Sequence, residues 1–250
     1  MNENPSHHLR CQVAALEDVT HDVRIVRLEI LDGGAFPFRA GQFAQVAFGD
    51  YPARDYSMAS RPGEPDLEFH IRDMKTGGAS GFVARELSIG DPVRVVGPLG
   101  RVVLDEHDAG PIVAVAGGSG LAPMKSVVET ALEKAMTQPI SLYFGARRRR
   151  DIYLDDHFSQ LRIRYTNFEF IPIVEQAGDA TNHRTGLVTE ALGQDADKFQ
   201  GAMAYLAGPP AMIEAAVTLL ARLGLPEARI LADPFYSDEE NATRRAAGLE

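Results

Sequence analysis

Along residues 11–104 apolar and polar positions alternate in short runs, the period-two texture of strands with one face buried. Val23 to Ile30, Gln42 to Phe48, Leu67 to Arg72 and Pro92 to Val96 are the clearest of these. Gly33-Gly34, Arg61-Pro62-Gly63 and Gly97-Pro98-Leu99-Gly100 supply turns between them. One helix is expected here, Gly81 to Leu87, following Gly77-Gly78. Short antiparallel strands with few helices predict a small barrel, an architecture that removes exposed sheet edges. After Asp105-Glu106-His107-Asp108 the texture changes. Pro111 to Ala116 is continuously apolar, as a strand covered on both faces must be, and a glycine turn leads into a helical stretch from Ala122 to Met136. Strands are then expected at Ile140 to Phe144, Glu169 to Ile173, Ala202 to Leu206 and Ala228 to Leu231, alternating with helices at Asp155 to Leu161, Thr189 to Leu192 and Pro209 to Leu223. Such alternation predicts a parallel sheet with helices on both sides. The expected organisation is therefore two domains, an antiparallel six-stranded β-barrel over 1–106 and an α/β parallel-sheet nucleotide-binding domain over 107–250. No long linker separates them, and the tail from Ser237 to Glu250 is expected to fray.

Charge and composition narrow the partners. The 250 residues include 35 acidic and 25 basic side chains, a formal net charge of -10. Such a surface repels phosphate backbones and anionic membranes, so neither nucleic acid nor a membrane is an expected partner. The one cysteine, Cys11, excludes an intrachain disulfide and any multi-cysteine zinc or iron-sulfur centre, and no metal site is expected. The stretch MNENPSHHLR lacks the apolar core of a secretory signal, and the most apolar stretch, Ala109 to Met124, is interrupted by glycines and prolines. No transmembrane helix fits, and a cytoplasmic location is expected.

Two groups of residues carry candidate chemistry. The first is Gly117-Gly118-Ser119-Gly120-Leu121-Ala122-Pro123, between a buried strand and a helix. There glycines allow a sharp turn, and free amides at a helix start attract phosphate. It is neither Gly-x-Gly-x-x-Gly nor a Walker loop. Gly145-Ala146-Arg147 and Gly208-Pro209-Pro210-Ala211-Met212 follow two other expected strands, so three small-residue loops converge on the edge where open α/β sheets bind ligands. Arg147 to Arg150 would grip an adenosine ribose or a 2'-phosphate, or form a solvated basic turn beside Asp151, Asp155 and Asp156. The second group lies in the barrel: Arg54-Asp55-Tyr56-Ser57, His70-Ile71-Arg72 and Gly77-Gly78-Ala79-Ser80. An arginine near an amide nest at a helix start is a pyrophosphate site, and a Tyr-Ser pair offers a flat surface beside a hydroxyl.

In order and rough spacing these motifs resemble the ferredoxin-NADP reductase-like family, most closely the FAD- and NADH-binding portion of aromatic-ring oxygenase reductases. The resemblance runs over about residues 8–237. It implies that Arg54 pairs with the flavin pyrophosphate, Tyr56 stacks on the isoalloxazine and Ser57 hydrogen-bonds near flavin N5. His70, Ile71 and Arg72 would line the ribityl and phosphate region, and the loop Gly77, Gly78, Ala79 and Ser80 would cap the pyrophosphate of FAD. Gly118, Ser119, Gly120 and Pro123 would hold the nicotinamide nucleotide, with Gly145, Arg147, Gly208, Pro209 and Met212 around it. Asp233-Pro234-Phe235-Tyr236 matches the family's C-terminal aromatic segment, so Phe235 would cover the flavin face. Ser57, Tyr56 and Phe235 are the implied catalytic residues.

The implied activity is a flavin-dependent NAD(P)H reductase that takes a hydride from NADH, with NADPH open, and passes electrons singly to an iron-sulfur acceptor, a ferredoxin or oxygenase component. Two departures stand out. Ala207 occupies the place where many relatives carry a cysteine, and the Cys-x4-Cys-x2-Cys pattern of an accompanying iron-sulfur domain is missing. Either the acceptor is a separate protein or the iron-sulfur half lies outside this sequence. The alternatives are a flavin or ferric reductase without a dedicated partner, and a non-catalytic nucleotide-binding module on the same fold.

Overall fold

A computed structural model describes residues 7–32, 34, 36–75, 77–176, 183–237, 240 and 243–244 of the chain. Gly33 and most of the tail expected to fray lie outside them. Alternation produces the barrel strand by strand: in β2 (Val23–Ile30) Val26 and Leu28 are buried while Arg27 and Glu29 face water. With β1 (His7–Asp18), β3 (Phe43–Phe48), β4 (Arg54–Ser57), β5 (Asp66–Arg72) and β6 (Pro92–Leu99) it forms one antiparallel sheet, ordered β4-β3-β6-β1-β2-β5. The two edge strands approach each other through a bridge between Met58 and Phe69 and an Ala59 N–H donated to the Glu68 carbonyl at 2.7 Å. No strand pairing joins Arg54–Ser57 to His70–Arg72 among the described residues, so a slot with unladdered backbone on both walls opens there.

The parallel half contains β7 (Ile112–Gly117), β8 (Ile140–Ala146), β9 (Phe168–Val174), the two-residue β10 (Arg184–Thr185), β11 (Met203–Gly208) and β12 (Ile230–Pro234). Their order is β10-β9-β8-β7-β11-β12, every neighbour parallel. Strand order reverses between β7 and β11, the position at which such sheets leave a crevice beyond their carboxyl ends. Helices α2 (Leu121–Glu133) and α3 (Asp155–Arg164) pack on one face, α4 (Val188–Gln194) and α5 (Pro210–Arg222) on the other. In the barrel, α1 (Gly78–Arg85) begins three residues before the expected Gly81, because Gly77 at φ 79° turns the chain directly into it.

α2 joins the two halves. A helix buried all round is normally apolar all round, yet this one buries Lys125, Ser126 and Thr130 along with its aliphatic residues. Its aliphatic side packs Leu121, Met124, Val127 and Val128 against the sheet and also against Val23, Ala40 and Leu104 of the barrel. Its polar side meets exposed backbone of the barrel: Ser126 Oγ donates to the Ser60 carbonyl at 2.7 Å and Lys125 Nζ to the Ala59 carbonyl at 3.3 Å. Among the described residues no helix is long and apolar enough to cross a membrane.

At the start of α2 the Gly120 backbone lies so close to Ala207 that a β-carbon would overlap its carbonyl oxygen. The obstacle is backbone and does not rotate away. Gly120→Ala should therefore cost about 1–3 kcal/mol, as overpacking does; an unchanged melting temperature would contradict this close approach.

Candidate active site

The slot in the barrel faces the carboxyl edge of the parallel sheet. The turn Gly118–Gly120 after β7 contacts both β5 and β11. Gly208, at φ 139°, stacks on the Gly117 backbone, and its carbonyl accepts the Phe235 N–H at 2.9 Å. Three loops far apart in sequence are thereby closed onto one another. Met212 and Pro209 cover the ends of β7 and β8, where a β-carbon on Gly117 would stand 2.9 Å from both the Met212 sulfur and Pro209 Cδ. Gly145, beside Gly117 in the sheet, is held in the same way by Met212 and Val188. Gly118 has φ 55° and is less confined: only Arg72 Nη1 comes near its missing β-carbon, at 3.7 Å.

On the barrel wall, Arg54 is exposed at the start of β4, Tyr56 is half-buried and Ser57 is buried. Tyr56 packs edge-on against Phe48 with ring centres 6.0 Å apart, and burial pushes its phenol up to about 12, against the smaller opposing pull of Arg54. It is an uncharged aromatic surface at any ordinary pH. Gly77 and Gly78 have nothing within 4 Å of where a β-carbon would lie, and no side chain caps α1. The amides of Gly78, Ala79 and Ser80 lie in this uncapped first turn, the kind of donor set an anion requires. Pro123 is buried in the first turn of α2, which likewise has no side-chain cap. Phe235 is half-buried at the end of β12 and packs on the core beneath the sheet.

The remaining expected residues are used differently from one another. Ile71 points into the barrel core and offers a ligand its backbone alone. The His70 side chain is fully buried, with Nε2 3.1 Å from Glu68 Oε1 and Nδ1 3.0 Å from the Tyr153 hydroxyl. Arg72 donates from Nε to Asp22 Oδ2 at 2.8 Å, which holds it beside Gly118. Arg147 to Arg150 are all exposed beyond β8; Arg148 Nε bonds Gln176 Oε1 at 2.9 Å and Arg150 lies 3.7 Å from Asp151.

Two groups escaped the sequence reading. The first is an ionic cluster between barrel and α2, in which Glu68 meets Arg27 at 2.9 Å, Lys125 at 3.3 Å and His70, while Lys125 also meets Glu129 at 3.2 Å. Burial alone would raise the Glu68 carboxyl, but the His70 hydrogen bond and the Lys125 charge override it and hold the acid well below the usual range. A lysine within the apolar run of α2 was the available signal. The second is Asp233, whose carboxyl burial pushes up to about 6, with the charge of Asp55 on β4 adding to the effect.

Comparisons with known proteins agree with this layout. Residues 10–104 match the model of the oxidoreductase FAD-binding domain and residues 114–218 that of the oxidoreductase NAD-binding domain. The chain is 40% identical over 233 residues to the ferredoxin–NAD(P)+ reductase component of the naphthalene 1,2-dioxygenase/salicylate 5-hydroxylase systems of a Ralstonia species, covering 93% of this chain and 70% of that one. It is 34% identical over 244 residues to the phenol 2-monooxygenase reductase component of Pseudomonas sp. strain CF600, covering 96% and 69%. Among solved structures, the ferredoxin reductase of carbazole 1,9a-dioxygenase superposes with a TM-score of 0.84 at 25% identity, covering 93% and 70%.

The raised Asp233 carboxyl has a consequence for stability. An acid whose folded-state pKa exceeds its unfolded value of about 3.9 favours the folded state while protonated; this contribution is complete below that value and is lost as pH rises through about 6. Asp233→Asn should therefore melt above the parent protein at pH 8, with a smaller gap at pH 5. Equal gaps at both pH values would contradict the assignment.

Proposed function

This chain belongs to the family of FAD- and NAD-binding oxidoreductases that includes the ferredoxin–NAD(P)+ reductase components of oxygenase systems, and on that premise we propose how its residues divide the work. FAD, when bound, accepts a hydride from a reduced nicotinamide nucleotide and gives up the two electrons singly to an iron-sulfur acceptor, a ferredoxin or an oxygenase component. The residues present fit such a group: an uncapped glycine-led helix start at α1, an exposed arginine on β4, and a slot whose walls carry unladdered backbone. The observation that carries the reading is the meeting of that slot with the switch point of the parallel sheet, through the contacts of Gly118–Gly120 with β5 and β11.

Arg54 and the amides of Gly78, Ala79 and Ser80 neutralise the flavin pyrophosphate, with Gly77 supplying the turn. Tyr56 presents its ring to the isoalloxazine and Ser57 its hydroxyl to the atom that receives the hydride. His70 and Ile71 contribute backbone, since their side chains are engaged elsewhere, and Arg72 balances charge at the slot's mouth. Gly118, Ser119, Gly120 and Pro123 seat the nicotinamide nucleotide against Gly145, Gly208, Pro209 and Met212, while Arg147 reaches its adenosine end. Phe235 covers the flavin face and must yield to the nicotinamide. We assign flavin binding to residues 1–106 and nucleotide binding to 107–250. The cytoplasm, where reduced nicotinamide nucleotides are held, is the proposed location.

Arg147 and Arg149 are exposed cations of the kind that pair with a 2'-phosphate, so NADPH is carried beside NADH as a donor. Mixing the FAD-loaded protein anaerobically with each nucleotide should bleach the flavin absorbance. Ser57→Ala should retain FAD but be reduced about tenfold to a hundredfold more slowly, the scale of losing one placed donor at a reacting atom. A parent protein that neither nucleotide reduces would overturn the function, and a variant reduced at the parent rate would overturn the role of Ser57.

A further inference from the structure

Tyr153 lies outside every motif discussed so far, yet it is almost fully buried between the two halves. Its ring stands edge-on to His70 at 5.4 Å and to Phe144 at 5.6 Å. Its hydroxyl is 3.0 Å from His70 Nδ1 on the barrel and 3.2 Å from the Gly118 carbonyl in the nucleotide turn. The next residue, Leu154, adopts φ 57°, a left-handed conformation that a leucine rarely accepts. Strain of this kind persists only where the surroundings impose it, and here it accompanies the inward turn that brings Tyr153 under Gly118.

The hydroxyl has one proton and two acceptors within reach. Glu68, ionised among Arg27, Lys125 and His70, can only accept, so His70 Nε2 must carry a proton. When His70 is neutral, its Nδ1 lone pair accepts the tyrosine O–H hydrogen bond and the Gly118 carbonyl receives none from that side. When His70 is protonated, Nδ1–H donates to the tyrosine oxygen and the tyrosine O–H donates to the Gly118 carbonyl.

We propose that Tyr153 and His70 are positioning residues for the nicotinamide nucleotide, a two-bond latch that fixes the Gly118 carbonyl, and with it the amides of Ser119 and Gly120, according to the protonation of His70. The inference deepens the function proposed above and rests on it. Charged and titratable groups face the latch from each packed element: Glu68 on β5, Arg27 on β2, Lys125 and Glu129 on α2, Asp22 on the loop before β2, and Arg72 beside Gly118. Burial lowers the His70 pKa, with Glu68 opposing and Lys125 reinforcing the shift, so the imidazolium form is reached on the acid side of the ordinary histidine range.

The test is calorimetric binding of NAD+ to the FAD-loaded protein between pH 5 and pH 8. The parent protein should bind about fivefold more tightly at the acid end, the value of one hydrogen bond. Tyr153→Phe keeps the ring and removes the hydroxyl; it should bind NAD+ about fivefold more weakly than the parent at acid pH and lose the pH dependence, with FAD content retained and a modest fall in melting temperature from the unpartnered His70 nitrogen. His70→Asn should also flatten the profile, whichever way its amide points, and serves if Tyr153→Phe fails to fold. His157→Gln, altering the histidine that contacts Glu129 on its far side, should leave the profile intact. A Tyr153→Phe protein that binds NAD+ like the parent at both ends would overturn the latch, as would a flat parent profile. Loss of the profile in His157→Gln would reassign the titration and overturn it too. A parent protein that binds no NAD+ at any pH would instead overturn the proposed function.

Discussion

The structure depends on one buried ionic cluster. Glu68 sits on a barrel strand, Lys125 on the helix that covers the parallel sheet, and their contact is nearly closed to solvent, with Arg27, His70 and Glu129 completing it. Such clusters add little net stability over an apolar replacement, but breaking one by removing a single partner costs about 3–5 kcal/mol. What this one supplies is registry. Apolar contacts of Val127 and Val128 with the barrel tolerate sliding, whereas Lys125, bound at once to Ala59, Glu68 and Glu129, accepts one arrangement.

Function follows from that registry because the slot and the switch point lie on different halves. The edge left open between Arg54–Ser57 and His70–Arg72 is useful only if the turn at Gly118 stands opposite it at a fixed distance. The cluster fixes the side of β5 that faces α2, and Tyr153 extends the same chain of contacts to the nucleotide turn itself. On the remaining side, the bond from the Phe235 N–H to the Gly208 carbonyl holds the end of the C-terminal strand to the loop after β11. The slot and the nucleotide turn are thereby held around one crevice by contacts that do no chemistry of their own.

Much of this was legible before any coordinates. β2 runs from Val23 to Ile30 as expected, since Val26 and Leu28 are buried in alternation with the exposed Arg27 and Glu29. β1 is hidden in the sequence: only Cys11 and Val13 of its twelve residues are buried, and a bulge between Val13 and Ala15 shifts the alternation. The ligand loops were legible because their glycines answer local demands, a tight turn or a backbone packed against backbone. The resemblance places His70 in a ligand-lining strand. Alternation instead sends Ile71 into the barrel core and His70 to the interface, and its partner Tyr153 lies 83 residues away. Contacts made only when the two halves dock leave no periodic trace in a sequence; the lysine within an apolar helix was the nearest thing to one.

The central claim is that the two halves are held so that a nicotinamide meets the flavin directly. The measurement that tests it is single-turnover flavin bleaching by saturating NADH under anaerobic conditions, with protium or deuterium as the hydrogen transferred from nicotinamide C4. The account predicts bleaching with about one NADH per flavin, slowed by the deuterium because that bond breaks in the step observed. A flavin that stays oxidised under excess NADH would contradict it.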